Sequence, residues 1–147
     1  MRPTLTLVVI DSNFILLPFQ FKVDYLNEIR GYVEGQLKFI VFQQILDELE
    51  AKKKREPNAT KFDRLLNSGL SYLEKNKENY TIDFIDSVKM GDETTDEFLL
   101  RKSIELKAES NTVFLATNDS NLRDKSRELG ISSIFLRQKK YLSFESA

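Results

Sequence analysis

Three stretches of this chain are apolar at nearly every consecutive position, TLTLVVI (4–10), KFIVF (38–42) and TVFLAT (112–117), and SSIFL (132–136) is a shorter fourth. The first three do not alternate buried with exposed positions, which predicts strands covered by protein on both faces. Segments with helical spacing separate them: VDYLNEIRGYVEG (23–35), FQQILDELEAKKKR (42–55), TKFDRLLNSGLSYLEKN (60–76), TDEFLLRKSIELKAE (95–109) and SNLRDKSREL (120–129). YTIDFID (80–86) alternates apolar and polar residues and predicts a further, more exposed strand. Strands alternating with helices imply crossover connections. The expected fold is α/β, a three-layer α/β/α arrangement around a mostly parallel sheet.

The breaks fall where the chemistry of turns puts them. EPNAT (56–60) supplies Pro57 and Asn58 as breakers and Thr60 as a helix N-cap, and DETT (92–95), after Gly91, plays the same part for the next helix. FILLPFQF (14–21) is an apolar surplus that either closes the core under the first helix or forms a subunit contact in a homodimer.

Composition narrows the chemistry. With 147 residues, 41% hydrophobic and 31% charged, the chain is expected to form one domain, 1–147, burying roughly two-thirds of its unfolded surface. No run approaches the roughly 18 to 20 apolar residues of a membrane span, so no membrane partner and a cytoplasmic location are expected. A net charge of -1 names no partner. The absence of both cysteine and histidine excludes thiolate or imidazole zinc sites, imidazole-based nucleophile systems and disulfide frameworks. Hydrolytic chemistry must then rest on carboxylates, lysine or a metal held by oxygen.

An apolar run that ends in aspartate is costly unless donors or a cation meet the carboxylate. Asp11 ends the first strand and Asp119 follows TVFLAT, so both are expected at the carboxyl edge of the sheet, where α/β folds bind ligands. Glu48 lies two turns into the helix that leaves KFIVF, on the face of Ile45, whereas Asp47 and Glu50 face solvent. Asp96 opens the helix before TVFLAT and shares a stripe with Leu99, Leu100 and Ser103. Crowded carboxylates repel one another, and a divalent cation removes the objection. Acids without His or Cys suit Mg²⁺ or Mn²⁺, ions that can activate water and clamp a phosphate for phosphodiester hydrolysis. Each acid also has a plainer role: Asp119 as an N-cap, Asp96 on a helix dipole, Glu48 as a solvated surface group.

Taken in order, VVIDSNFIL, VFQQILDELEAK, TTDEFLL and FLATNDSNLRDKSRELGI resemble the PIN-domain nucleases over nearly the whole chain. The resemblance implies that Asp11, Glu48, Asp96 and Asp119 converge on Mg²⁺ or Mn²⁺ and cleave RNA, with Ser12, Asn13 and Thr117 as accessory polar positions. TNDSNLRDKSRELGI is more similar to the branch associated with ribosomal RNA processing than to the toxin branch. Asn121 departs from the pattern, since family members often carry a further acid there. A phosphotransfer fold, which needs a second Asp two residues past the first, is disfavoured by Asn13.

RNA requires cations, and Arg123, one turn from Asp119, together with Lys52 and Lys53 are the selected contacts. Lys54, Arg55, Arg101, Lys102, Lys125 and Arg127 are further candidates, although charge runs on helices usually form solvated faces and pairs such as Glu50 with Lys54. Phe and Tyr are plentiful, but no aromatic cluster along the chain reads as a stacking platform. Three functions are therefore in play: a metal-dependent endoribonuclease, a PIN-like RNA- or protein-binding scaffold, and a ribonuclease toxin silenced by an antitoxin.

Overall fold

In the computed structural model, which describes residues 5–56, 58, 60–109 and 112–147, the apolar runs form the middle of one six-stranded sheet. The strands are β1 (Leu5–Ile10), β2 (Gln36–Phe42), β3 (Thr81–Ile85), β4 (Thr112–Ala116), β5 (Ser132–Arg137) and β6 (Tyr141–Glu145). Their spatial order is β3, β2, β1, β4, β5, β6, all parallel except the last pair. β1 is buried from Thr6 to Ile10 because it has strands on both edges and cover on both faces. β3, the alternating segment, is an edge strand of half-buried and exposed residues.

The helices are α1 (Ser12–Ile15), α2 (Leu17–Gln20), α3 (Tyr25–Tyr32), α4 (Gln43–Arg55), α5 (Thr60–Lys75), α6 (Thr95–Ala108) and α7 (Ser120–Glu128). Among the described residues, no helix is long and apolar enough to cross a membrane. The segment 23–35 yields a shorter helix than its pattern predicts, with Asp24 as N-cap and an extended Val33 as its end. Thr60 is the first residue of α5 rather than its cap, and the expected breaker Pro57 lies outside the described residues. Thr94 caps α6 in a reciprocal box with Glu97, which places Asp96 in the first turn.

FILLPFQF closes the core, with Phe14, Ile15 and Leu17 fully or almost fully buried, but it does so as two short helices and leaves Phe19 exposed. α5 packs closely over this segment. A Cβ added at Gly69 would stand 2.0 Å from the Ile15 carbonyl oxygen, so only glycine permits the approach. Gly69→Ala is expected to destabilise the fold by about 2 kcal/mol or more, as overpacking does, read as a lower urea midpoint with an unchanged slope.

β6 is the strand that the hydrophobic pattern did not announce. Its inward residues are only Leu142 and Phe144, and its pairing with β5 comes through a tight turn in which Gln138 and Lys139 have φ of 54° and 57°. Phe144 stacks flat on Tyr32 of α3, 3.8 Å between ring centres, which covers that end of the sheet.

Candidate active site

The chain runs outward from β1 through β2 to β3, then returns to lay β4 against the free side of β1. This reversal is the switch point of the sheet, and the residues leaving β1 and β4 emerge side by side. The Asp11 N–H donates to the Ala116 carbonyl at 3.0 Å, and the Thr117 N–H to the Ile134 carbonyl at 2.9 Å.

Asp11 is buried, and donors meet its carboxylate. The Ser12 N–H donates to Oδ1 at 2.7 Å, the Thr117 hydroxyl to Oδ2 at 2.7 Å, and Asn13 Nδ2 to Oδ2 at 3.3 Å. The Ser12 hydroxyl lies farther, 3.5 Å from Oδ1. Burial pushes the Asp11 carboxyl above the usual aspartate range, against the Thr117 and Ser12 hydrogen bonds; the negative charges of Asp96 and Asp119 push the same way as burial. Thr117 is itself fully buried and binds three groups, since its oxygen also accepts from Asn13 Nδ2 at 3.3 Å and from the Asp119 N–H at 3.1 Å. Asn13 Oδ1 in turn accepts from the Asn118 N–H, and Asn118 Oδ1 from the Leu136 N–H.

Asp119 is the N-cap of α7, as its plainer reading has it, with Oδ1 accepting from the Asn121 and Leu122 N–H groups at 2.9 and 3.2 Å. Capping does not remove its charge from the site, because that charge still acts on Asp11 and Asp96. The Asp96 carboxyl is raised by partial burial, then by Asp119 and Glu48, with Lys125 opposing. Asp96 is thus the one acid whose field couples to each of the other three. Glu48 is turned toward neighbours: Gln44 Nε2 donates to Oε1 at 3.1 Å, and the Thr95 hydroxyl donates to the same oxygen.

The expected convergence therefore takes a looser form than a ligand shell. Asp11, Asp96 and Asp119 act on one another and Glu48 acts on Asp96, yet no three acids among the described residues form a group close enough to hold a metal ion as they stand. Oδ1 of Asp119 is engaged by the cap, Oε1 of Glu48 by Gln44 and Thr95, and like charges gain nothing by closing further. As a donor set the four suit a hard cation, being all oxygen; burial raises the Asp11 and Asp96 carboxyls most, and the charges of the neighbouring acids add to it in the same direction.

Gln44, Thr95 and Asn118 are site residues that sequence reasoning missed. Gln44 is buried, and its Oε1 accepts the Lys89 N–H at 3.0 Å while its amide holds Glu48. Thr95, next to Asp96, and Asn118, between Thr117 and Asp119, carried a signal along the chain.

Among the cations, Arg101 is bound by Glu93 at 2.8 Å and by Glu105, Lys102 pairs with Glu105, and Arg127 pairs with Asp124 and Glu145. Arg123 lies over the Phe135 ring at 3.8 Å, its Nε buried without a hydrogen-bond partner. Lys125, on the same helix, is the residue whose charge reaches Asp96. Lys52, one turn past Glu48, sits 4.7 Å over the Phe62 ring, and Lys53 is half-buried.

Comparison with known proteins matches this arrangement to one family. The family described as PIN like domain matches residues 8–139. Ribonuclease VapC4 of Methanocaldococcus jannaschii is 30% identical over 138 residues, covering 91% of this chain and 92% of that protein. The structure of the PIN domain endonuclease Utp24 superposes with a TM-score of 0.67 at 19% identity, covering 96% of this chain and 92% of that one. A domain of a functionally unknown protein from Methanocaldococcus jannaschii gives 0.62, also at 19% identity, over 89% and 91% of the two chains. The match over 8–139 spans both halves of the site, from the strand before Asp11 to the turn after β5, and this chain belongs to the PIN-like domain family.

Proposed function

We propose that this protein is a divalent-metal-dependent endoribonuclease acting in the cytoplasm, in the processing of ribosomal or other cellular RNA. The observation that carries the proposal is the coupled set at the switch point: Asp11 buried and held by Thr117, Asn13 and Ser12, with Asp96 sharing its field with Asp11, Asp119 and Glu48. A relative of nearly the same length is named a ribonuclease, and phosphodiester hydrolysis is the chemistry that four carboxylates without His or Cys support.

Asp11, Glu48, Asp96 and Asp119 are the residues that would hold Mg²⁺ or Mn²⁺. The bound ion supplies charge neutralisation and an activated water for attack at phosphorus. The chain's own part is to keep the acids ionised and oriented. Thr117 and Ser12 favour the ionised form of Asp11. Gln44 and Thr95 fix the Glu48 carboxylate from one side, and Lys125 offsets part of the repulsion on Asp96.

The test combines cleavage with stability. Purified protein is expected to cut single-stranded or structured RNA with Mn²⁺ or Mg²⁺ and to stop in EDTA. Mn²⁺ at a hundredfold over its Kd is expected to stabilise the fold by about 2.7 kcal/mol, read as a rise in Tm. The separation of the acids and Asn121 in place of a further acid favour a second reading, a PIN-like scaffold without chemistry. That scaffold shows no cleavage and no ion-dependent Tm, a result that would sink the ribonuclease proposal. Growth arrest on expression without a partner would transfer the role from processing to a toxin held by an antitoxin.

A further inference from the structure

The chain also builds a concave surface whose chemistry is invisible along the sequence. The end of α2, the first turns of α5 and the turn between β5 and β6 enclose a groove of about 810 Å³. Phe19, Phe21, Lys61, Arg64 and Lys139 line it, and none of its lining residues is acidic. Phe19 is 57% exposed, although it belongs to one of the most apolar stretches of the chain.

Arg101, Lys102 and Arg127 are held by carboxylates, whereas Lys61, Arg64 and Lys139 make no ion pair among the described residues. The Lys139 ammonium instead lies 5.9 Å from the centre of the Phe21 ring. It is held there by a turn whose two central residues, Gln138 and Lys139, are both left-handed, a conformation that favours Asn and Gly.

Two short stretches of chain link the groove to the candidate active site. Asn118, next to Asp119, accepts the Leu136 N–H, and Lys139 follows three residues later, within ~10 Å of chain reach. On the other wall, α1 and α2 lead directly from Asp11 to Phe19.

We infer that this groove holds a single-stranded segment of the RNA substrate, with Phe19 and Phe21 stacking on bases and Lys61, Arg64 and Lys139 contacting phosphates; the inference rests on the ribonuclease function proposed above. Aromatic faces interleaved with unpaired cations are what single strands bind. A duplex keeps its bases stacked and offers the phenyl rings nothing. An apolar protein segment would cover three cations without pairing them, at a desolvation cost.

The test reads binding without metal, so that nothing is cut. A 5′-labelled oligouridylate of about 20 nucleotides, longer than a single binding cleft of this size, is titrated with the full chain in EDTA, and fluorescence anisotropy is followed over a series of salt concentrations. The triple substitution Lys61→Gln, Arg64→Gln, Lys139→Gln is expected to weaken binding at least about tenfold and to lower the slope of log affinity against log salt by about 2. Phe19→Ser is expected to weaken binding roughly tenfold with the slope unchanged. Lys61→Arg with Lys139→Arg is expected to bind as wild type, and if the triple variant fails to fold, exposed Arg64→Gln alone is expected to lower the slope by about 0.7.

A triple variant with wild-type affinity and slope overturns the inference, as does a wild-type chain that does not bind. Loss with Phe19→Ser alone, the charge variants being neutral, assigns the groove to an apolar protein segment and also overturns it. RNA bound through the groove but left uncut in Mn²⁺ sinks the ribonuclease proposal and leaves the groove standing. Cleavage of the same RNA with binding indifferent to the groove does the reverse.

Discussion

Asp119→Asn is expected to abolish RNA cleavage, by about a thousandfold or ~4 kcal/mol of transition-state stabilisation, while leaving the metal-free protein at least as stable as wild type. The two effects separate because Asp119 does two jobs with different atoms. Its Oδ1 caps α7 through the Asn121 and Leu122 amides, and an asparagine oxygen accepts those bonds equally well. Its charge raises the carboxyls of Asp11 and Asp96, and asparagine removes it. Melting in EDTA is therefore expected at a higher temperature than wild type. The increment in Tm that Mn²⁺ provides should shrink, because one of its proposed ligands has become neutral. A variant that keeps wild-type cleavage and the full Mn²⁺ increment would remove Asp119 from the site and leave it as a cap.

Thr117→Val is expected to cost about 3 to 4 kcal/mol at neutral pH, the sum of a lost hydrogen bond to a carboxylate and a stranded backbone amide. The shape is conserved, so packing does not cause the loss. The missing oxygen is one that donates to Asp11 at 2.7 Å and accepts from Asn13 and the Asp119 N–H, in a residue with no exposed surface. The pH dependence follows from the direction of the Asp11 shift. A carboxyl raised in the folded state above its ordinary 3.8 contributes stability that is fully present below 3.8 and is lost as pH rises through the folded value. Valine removes the hydroxyl that opposes this rise, so the folded value climbs further. The stability gap to wild type is expected to be widest at neutral pH and to narrow on acidification, because protonated Asp11 no longer needs the donor. The acid limb of RNA cleavage should move to higher pH. Urea unfolding in EDTA at neutral and acidic pH, with Thr117→Ser as the variant that keeps the hydroxyl, checks both. Equal gaps at the two pH values would contradict the assignment of Thr117 as the donor that keeps Asp11 ionised.

The pattern of apolar positions by itself determined five strands, five helices and the largely parallel pairing, because burial on both faces or one is written into each strand's own side chains. It also placed Asp11 and Asp119 at the carboxyl edge of the sheet, since each directly follows the run that ends there. Glu48 and Asp96 were legible from helical phase and from a resemblance in register across the chain. Tertiary structure decided what those acids touch. Thr117 reaches Asp11 across 106 positions and Thr95 reaches Glu48 across 47, contacts that exist only because β4 returns beside β1 and the start of α6 meets α4. No local signal specifies such partners. The same holds for the cations: Arg101 and Lys125 look alike along the chain, yet Glu93 holds the first while the second faces Asp96. Local propensity and burial act over a few residues and so survive in the sequence. Strand order, β6 with its two inward side chains, and the meeting of Phe19 and Phe21 with Lys61, Arg64 and Lys139 are set by how distant segments pack, and only the folded chain brings them together.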